Sequence, residues 1–182
     1  TIHWILKTVF NIRQQSEIPI ALMGYINPIL KFGLNKFMKS CSDAGVDGLI
    51  IPDLPPEEAD DYVKSSKTNG ISPILLVAPN TPEKRIHEIS KLAEDLIYCV
   101  AILGVTGGRG SIGNQLISYL NRVEKNSDCP FIVGFGIKER EDVIAINQIA
   151  HGAVVGSAII HEIKNSNNPV EVIKNYMEKL SR

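Results

Sequence analysis

Cysteine is scarce in this 182-residue chain, and the three present stand far apart: Cys41, Cys99 and Cys129. An odd count at such spacing argues against a disulfide framework or a zinc site. The three read as small buried hydrophobes in a reducing compartment. The four histidines, His3, His87, His151 and His161, contain no H-x-x-x-H pair. They read as helix-surface or helix-end residues rather than ligands or bases. Neither sign of charge dominates. A formal net charge of −1 leaves no basic face for nucleic acid and no acidic tail. No apolar run reaches the ~18–20 residues that a membrane span needs. The opening T-I-H-W-I-L-K-T-V-F has no small-residue cleavage site, so it is not read as a signal peptide.

What is present is an ordinary globular composition, 44% hydrophobic and 21% charged, with apolar mass for one sizeable core. Ile, Lys and Asn are used freely and Ile outnumbers Val. These residues have AT-rich codons, which fits a plastid or endosymbiont gene; the expected location is the cytoplasm or the plastid stroma.

The most informative stretch is Phe131 to Ile160. It reads F-I-V-G-F-G-I, then a polar-started helical pattern, then G-A-V-V-G-S-A-I-I. Each apolar run ends in glycine and leads directly into a helix. Gly134, Gly136 and Gly156 lack a Cβ, so they can take φ > 0 and let backbone approach a ligand. A helix starting beside such a turn points free N–H groups and a partial positive charge at the same spot. Two such ends side by side make a phosphate cup built from backbone, with Ser157 adding a hydroxyl. The plainer alternative is a pair of ordinary tight β–α turns.

The rest of the chain repeats β then α at ~25–30 residues per unit. Expected strands are Ile18 to Tyr25, Gly48 to Leu54, Ser72 to Ala78 and Leu96 to Ile102, each almost wholly apolar. Expected helices are Thr1 to Gln15, without an N-cap; Phe32 to Ala44, ended by Gly45; one opened by Pro55-Pro56; one from Thr81-Pro82-Glu83; one carrying Leu116, Ile117, Leu120 and Val123; Glu139 to Ile149; and Pro169 to about Leu180. Apolar strands and amphipathic helices mean a parallel sheet covered by helices. An open doubly wound sheet and a closed (β/α)₈ TIM barrel both fit. The dinucleotide fingerprint G-x-G-x-x-G is absent after the first strand, and the glycines sit late, which favours the barrel. About six of its eight β/α units are visible. The expectation is a single α/β TIM-barrel domain over residues 1–182 that lacks its first two β/α units.

Five runs then carry a resemblance: P-I-A-L-M-G-Y-I-N-P-I-L, D-G-L-I-I-P-D-L-P-P-E-E, L-V-A-P-N-T-P-E-K-R-I, G-V-T-G-G-R, and G-F-G-I followed by G-A-V-V-G-S-A-I. In this order and spacing the chain resembles the alpha subunit of tryptophan synthase, from its third β/α unit to its C-terminus. The resemblance implies a lyase of tryptophan biosynthesis that cleaves indole-3-glycerol phosphate to indole and glyceraldehyde 3-phosphate. It implies an α₂β₂ assembly with a beta subunit that carries pyridoxal phosphate, and no cofactor in this subunit. The Glu and Asp that do the family's acid–base work match no position among the 182 residues, so no catalytic residue is assigned and the chain alone is expected to be inactive. Gly107, Gly134, Gly136, Gly156 and Ser157 match the phosphate-binding positions. Tyr98, Thr106 and Phe135 match the substrate pocket, with Met23, Ile50 and Tyr25 as further wall. Asp53 and Asn27 match supporting positions near the site, Asp53 as a holder of active-site loops. No metal site is implied. Departures are Ala101 and Leu103, where small polar residues are usual, and Lys138, where a Ser or Thr would cap the next helix. A lost cap costs about 1 kcal/mol. The alternatives are a non-catalytic module that binds phosphate or docks on a beta subunit, and another phosphate-binding barrel of the same pathway.

Overall fold

The structure, a computed structural model, describes residues 1–101, 113–134 and 136–181. They form two compact units. The first holds Thr1–Leu76 and Ile89–Leu96, the second Val77–Glu88 and Ile97–Arg182.

The first unit opens with α1 (Ile2–Arg13). The Thr1 hydroxyl oxygen accepts the Trp4 N–H at 3.4 Å. Thr1 is therefore the N-cap that the sequence reading found missing; the helix begins one residue later than expected. The strand β1 (Ala21–Met23) is followed by α2 (Ile26–Phe32), α3 (Leu34–Ala44) and β2 (Gly48–Ile50). A 3₁₀ turn, Pro56–Glu58, leads into α4 (Asp60–Thr68), and β3 (Ser72–Val77) follows. All pairings are parallel, with Met23 beside Ile50 and Ile50 beside Ile74.

Two sequence expectations change here. The helix expected from Phe32 starts at Leu34, after Gly33 with φ +96, and a further helix, α2, precedes it, beginning just after Tyr25, where the sequence reads as the end of a strand. Pro28 fits because it sits in the first turn, where N–H groups have no intrahelical acceptor. The first strand is three residues long, and it is not buried: Met23 is 55% and Tyr25 67% exposed. Among the described residues β1 pairs only with β2, so one of its edges stays uncovered.

The core of this unit rests on α3, which buries Phe37, Met38, Cys41 and Ala44 along one face. Gly45 ends that helix in the left-handed region, φ +87, as expected of a C′ glycine. A Cβ at Gly45 would stand 2.7 Å from the Arg13 side chain. Arg13 fills that space for a reason. Its guanidinium donates to the Gly45 carbonyl at 2.7 Å and to the Asp47 carboxylate, while Asp47 also accepts the Ile20 N–H at 2.7 Å. The end of α1 is thereby tied to the entry of β2. On the other side Tyr62 of α4 donates its hydroxyl to the Leu49 carbonyl at 2.7 Å.

The second unit takes in the start of α5 (Glu83–Ala93) and then β4 (Ile97–Val100), α6 (Asn114–Asn126), β5 (Phe131–Gly134), α7 (Arg140–Asn147), β6 (Gly152–Val154), α8 (Ser157–Lys164) and α9 (Pro169–Ser181). Its strands are again parallel and in sequence order. Cys99, Leu120, Val123, Phe131 and Val133 are almost wholly removed from solvent. The Tyr119 hydroxyl of α6 donates to the Val77 carbonyl at 2.7 Å. All three cysteines are buried, as composition suggested. Among the described residues no helix is long and apolar enough to cross a membrane.

Candidate functional site

Parallel pairing brings the carboxyl ends of the second unit's strands level. Val100 stands beside Gly134, and Gly134 beside Val154. The Ala101 N–H donates to the Gly134 carbonyl at 2.9 Å, one step past the end of β4. The two glycine turns that follow β5 and β6 therefore emerge at one edge, next to each other. Gly136 takes φ +74, a conformation that strains any residue with a Cβ. Gly156 does not use that freedom, since its φ is −127, but a Cβ placed on it would meet nothing within 4 Å. It faces open space, immediately before α8.

At that start, the Ile160 N–H bonds the Gly156 carbonyl at 3.2 Å. The N–H groups of Ser157, Ala158 and Ile159 consequently have no intrahelical acceptor. No side chain caps the helix, and Gly156 and Ser157 are both exposed. Three donors, a serine hydroxyl and the positive end of a helix dipole are thus left for an anion.

The matching end of α7 is different. There the Glu139 side chain accepts the Asp142 N–H, and Asp142 Oδ2 accepts the N–H groups of Glu139 and Lys138, both at 3.1 Å. This reciprocal capping box fills the helix start with the chain's own carboxylates. The expected pair of free helix ends reduces to one free end, α8, beside the Gly136 turn. The cap expected at position 138 is not lost either; it stands one residue on, at Glu139.

Gly134 has a structural reason of its own. A Cβ there would lie 1.7 Å from the Tyr98 hydroxyl and 2.3 Å from its Cζ. Tyr98 is 8% exposed, and burial raises its pKa above that of an ordinary phenol. The absent side chain at Gly134 lets this ring run along the sheet to the edge where the glycine turns begin.

A family model described as the tryptophan synthase alpha chain matches residues 1–181. The chain belongs to the tryptophan synthase alpha chain family. It is 43% identical over 162 residues to the tryptophan synthase alpha chain of Roseiflexus sp. (strain RS-1), covering 88% of this chain and 62% of the relative. To that of Carboxydothermus hydrogenoformans it is 40% identical over 175 residues, covering 96% and 63%. The chain thus spans about three-fifths of the length of these curated relatives. Among solved structures, one described as the tryptophan synthase a2b2 complex of Pyrococcus furiosus superposes with a TM-score of 0.92 at 32% identity. That match covers 99% of this chain and 73% of the other. The fold class is accordingly α/β, of the TIM-barrel type found in tryptophan synthase alpha chains.

Set against the family's site positions, the described residues fall into two groups. In the second unit the structure brings Tyr98, Gly134, Gly136, Gly156 and Ser157 to one strand-end edge. In the first unit Met23, Tyr25 and Ile50 line a cavity of about 220 Å³ together with Ile2, Leu22 and Phe37. Asp53 and Asn27 do not line it. Asp53 Oδ1 accepts the Ile26 N–H at 2.9 Å, which fixes the first turn of α2 and hence Asn27 beside it. Thr106, Gly107 and Phe135, as well as Leu103, lie outside the described residues.

The sequence reading overlooked the Glu139–Asp142 box, although E-R-E-D places acceptors three residues apart, as a box requires. It also overlooked Tyr176, whose hydroxyl donates to the Lys138 carbonyl at 2.6 Å. No local signal announces that contact, which joins residues 38 apart.

Proposed function

We propose that this chain supplies the phosphate-holding part of a tryptophan synthase alpha subunit, a lyase that cleaves indole-3-glycerol phosphate to indole and glyceraldehyde 3-phosphate. The observation that carries the reading is the free start of α8 at Gly156–Ser157, level with the Gly136 turn. Charge-assisted hydrogen bonds contribute about 1.5–3 kcal/mol each. Three of them can hold a phosphate ester in the millimolar to micromolar range, about 4–8 kcal/mol.

On this reading the dianion anchors the substrate, and the anchor orients the bond to be broken. Cleavage needs one proton delivered to the indole C3 carbon, one removed from the ring nitrogen and one taken from the glycerol hydroxyl. The carboxylates for this work have no counterpart among the 182 residues, so the part proposed for these residues is to bind and orient. Tyr98 in the second unit, and Met23, Tyr25 and Ile50 in the first, are candidates for substrate contact by the family resemblance. Asp53 holds the loop end that carries Asn27. The partner is a beta chain that contains pyridoxal phosphate, as the family resemblance implies, and this subunit needs no cofactor of its own. The free residue choice of Ile, Lys and Asn supports a cytoplasmic or plastid location.

The test is a titration of isotope-labelled chain with glycerol 3-phosphate, followed by amide shifts. The largest shifts are expected at Gly136, Gly156 and Ser157. Saturable shifts confined to other residues would contradict the site. The same chain mixed with indole-3-glycerol phosphate is expected to release no indole above background.

A further inference from the structure

We infer that Lys138 adds a side-chain cation to the phosphate cup, so that the cup in this chain prefers a dianion and weakens with salt. This rests on the reading of α8 as the phosphate site. Lys138 and Ser157 line one cavity, about 510 Å³, that runs along α8 past His161 and Glu162 to Tyr176 and Lys179. The lysine backbone is pinned on both sides: its N–H donates to Asp142 Oδ2 at 3.1 Å and its carbonyl accepts from Tyr176 at 2.6 Å. With the backbone held, only the flexible stem is free to bring the ammonium towards a bound anion. Because Glu139 caps α7, the side chain at 138 has no capping task. It is exposed, and it makes no ion pair among the described residues.

The other charged groups on the cavity decide the sign. Glu139 is engaged in the box, which lowers its claim on Lys138. Glu162 of α8 and Lys179 of α9 are of opposite sign, the Asp142 carboxylate is held by the Lys138 and Glu139 N–H groups, and His161 lies a turn below Ser157. The cation nearest in sequence to the Gly136 turn is Lys138. A lysine approaching a dianion at a solvated edge gives a screened attraction, worth about a three- to fivefold change in affinity.

The experiment measures glycerol 3-phosphate binding to the full chain, to K138S and to K138R, at low and at physiological ionic strength. Thermal unfolding of each variant checks the fold. The expected result is a three- to fivefold weaker K138S with a flatter salt dependence, and K138R close to the parent. Equal affinity and equal salt dependence in K138S overturns the role of Lys138 and leaves the backbone cup standing. No binding by the parent chain overturns the cup, and this inference with it.

Discussion

Substituting alanine at Gly134 asks whether the end of β5 is built around Tyr98. The added Cβ would sit 1.7 Å from the hydroxyl, 2.3 Å from Cζ and 2.9 Å from Cε1. Two ring atoms and the hydroxyl oxygen lie inside the distance that real Cβ contacts respect, so rotating the hydroxyl cannot relieve the clash. The ring is 8% exposed and belongs to a paired strand, so it cannot swing into solvent without breaking packing. Overpacking of this kind costs about 1–3 kcal/mol. For a chain of this length that lowers Tm by roughly 2–4 °C per kcal/mol. Urea unfolding of G134A should therefore show a loss of about 2–3 kcal/mol. Y98F should not rescue it, since Cζ remains. Y98A alone should cost about 3–5 kcal/mol as a large-to-small change, and adding G134A to it should cost little more. A double-mutant cycle reads that coupling directly. If G134A lay within about 0.5 kcal/mol of the parent, or if its cost were additive with Y98A, the glycine would not be there to admit the ring.

Three further outcomes follow from the same geometry. Glu139→Ala removes one half of the capping box and should lower stability by about 1 kcal/mol, with faster amide exchange confined to the first turn of α7. Asp53→Ala frees the Ile26 N–H and should loosen α2 at about the same cost, seen as loss of exchange protection at Ile26; unchanged protection would discount the contact. Burial pushes the Cys41 and Cys99 thiols up to about 12, whereas an unfolded thiol titrates near ~8.5. The native state keeps protons that the unfolded chain gives up. Stability is then fully present below about pH 8.5 and is lost as pH rises toward 12, at about 1.4 kcal/mol per pH unit for each thiol. Urea midpoints at pH 7.5 and pH 9.5 measure it, and a flat profile would count against buried neutral thiols.

The alternation of apolar strands and amphipathic helices was readable in the sequence because each element repeats one physical rule. Val123 and Leu120 fall on one helix face, and Phe131 and Val133 on one strand face, and all four are buried. Gly45 was readable as a helix stop for the same reason: one residue type suits one dihedral region. What failed depended on partners distant in sequence. The exposure of β1 follows from which strand pairs with it, and periodicity holds no information on that. The need for glycine at position 134 comes from Tyr98, 36 residues away in a neighbouring strand. The helix α2 was hidden by Asn27-Pro28, a pair that ends strands as readily as it opens helices. At the site, the glycines were visible, but the two helix starts looked alike. Only the side-chain hydrogen bonds distinguish α7, already capped by carboxylates, from α8, which is not.

The most direct test of the central claim is calorimetric titration of glycerol 3-phosphate into the chain and into Gly156→Asp. The substitution places a carboxylate in the open space before α8, where a Cβ meets nothing within 4 Å, so it should fold normally. Saturable binding by the parent and none by the variant is the predicted result. Equal heats from both proteins would contradict the phosphate site.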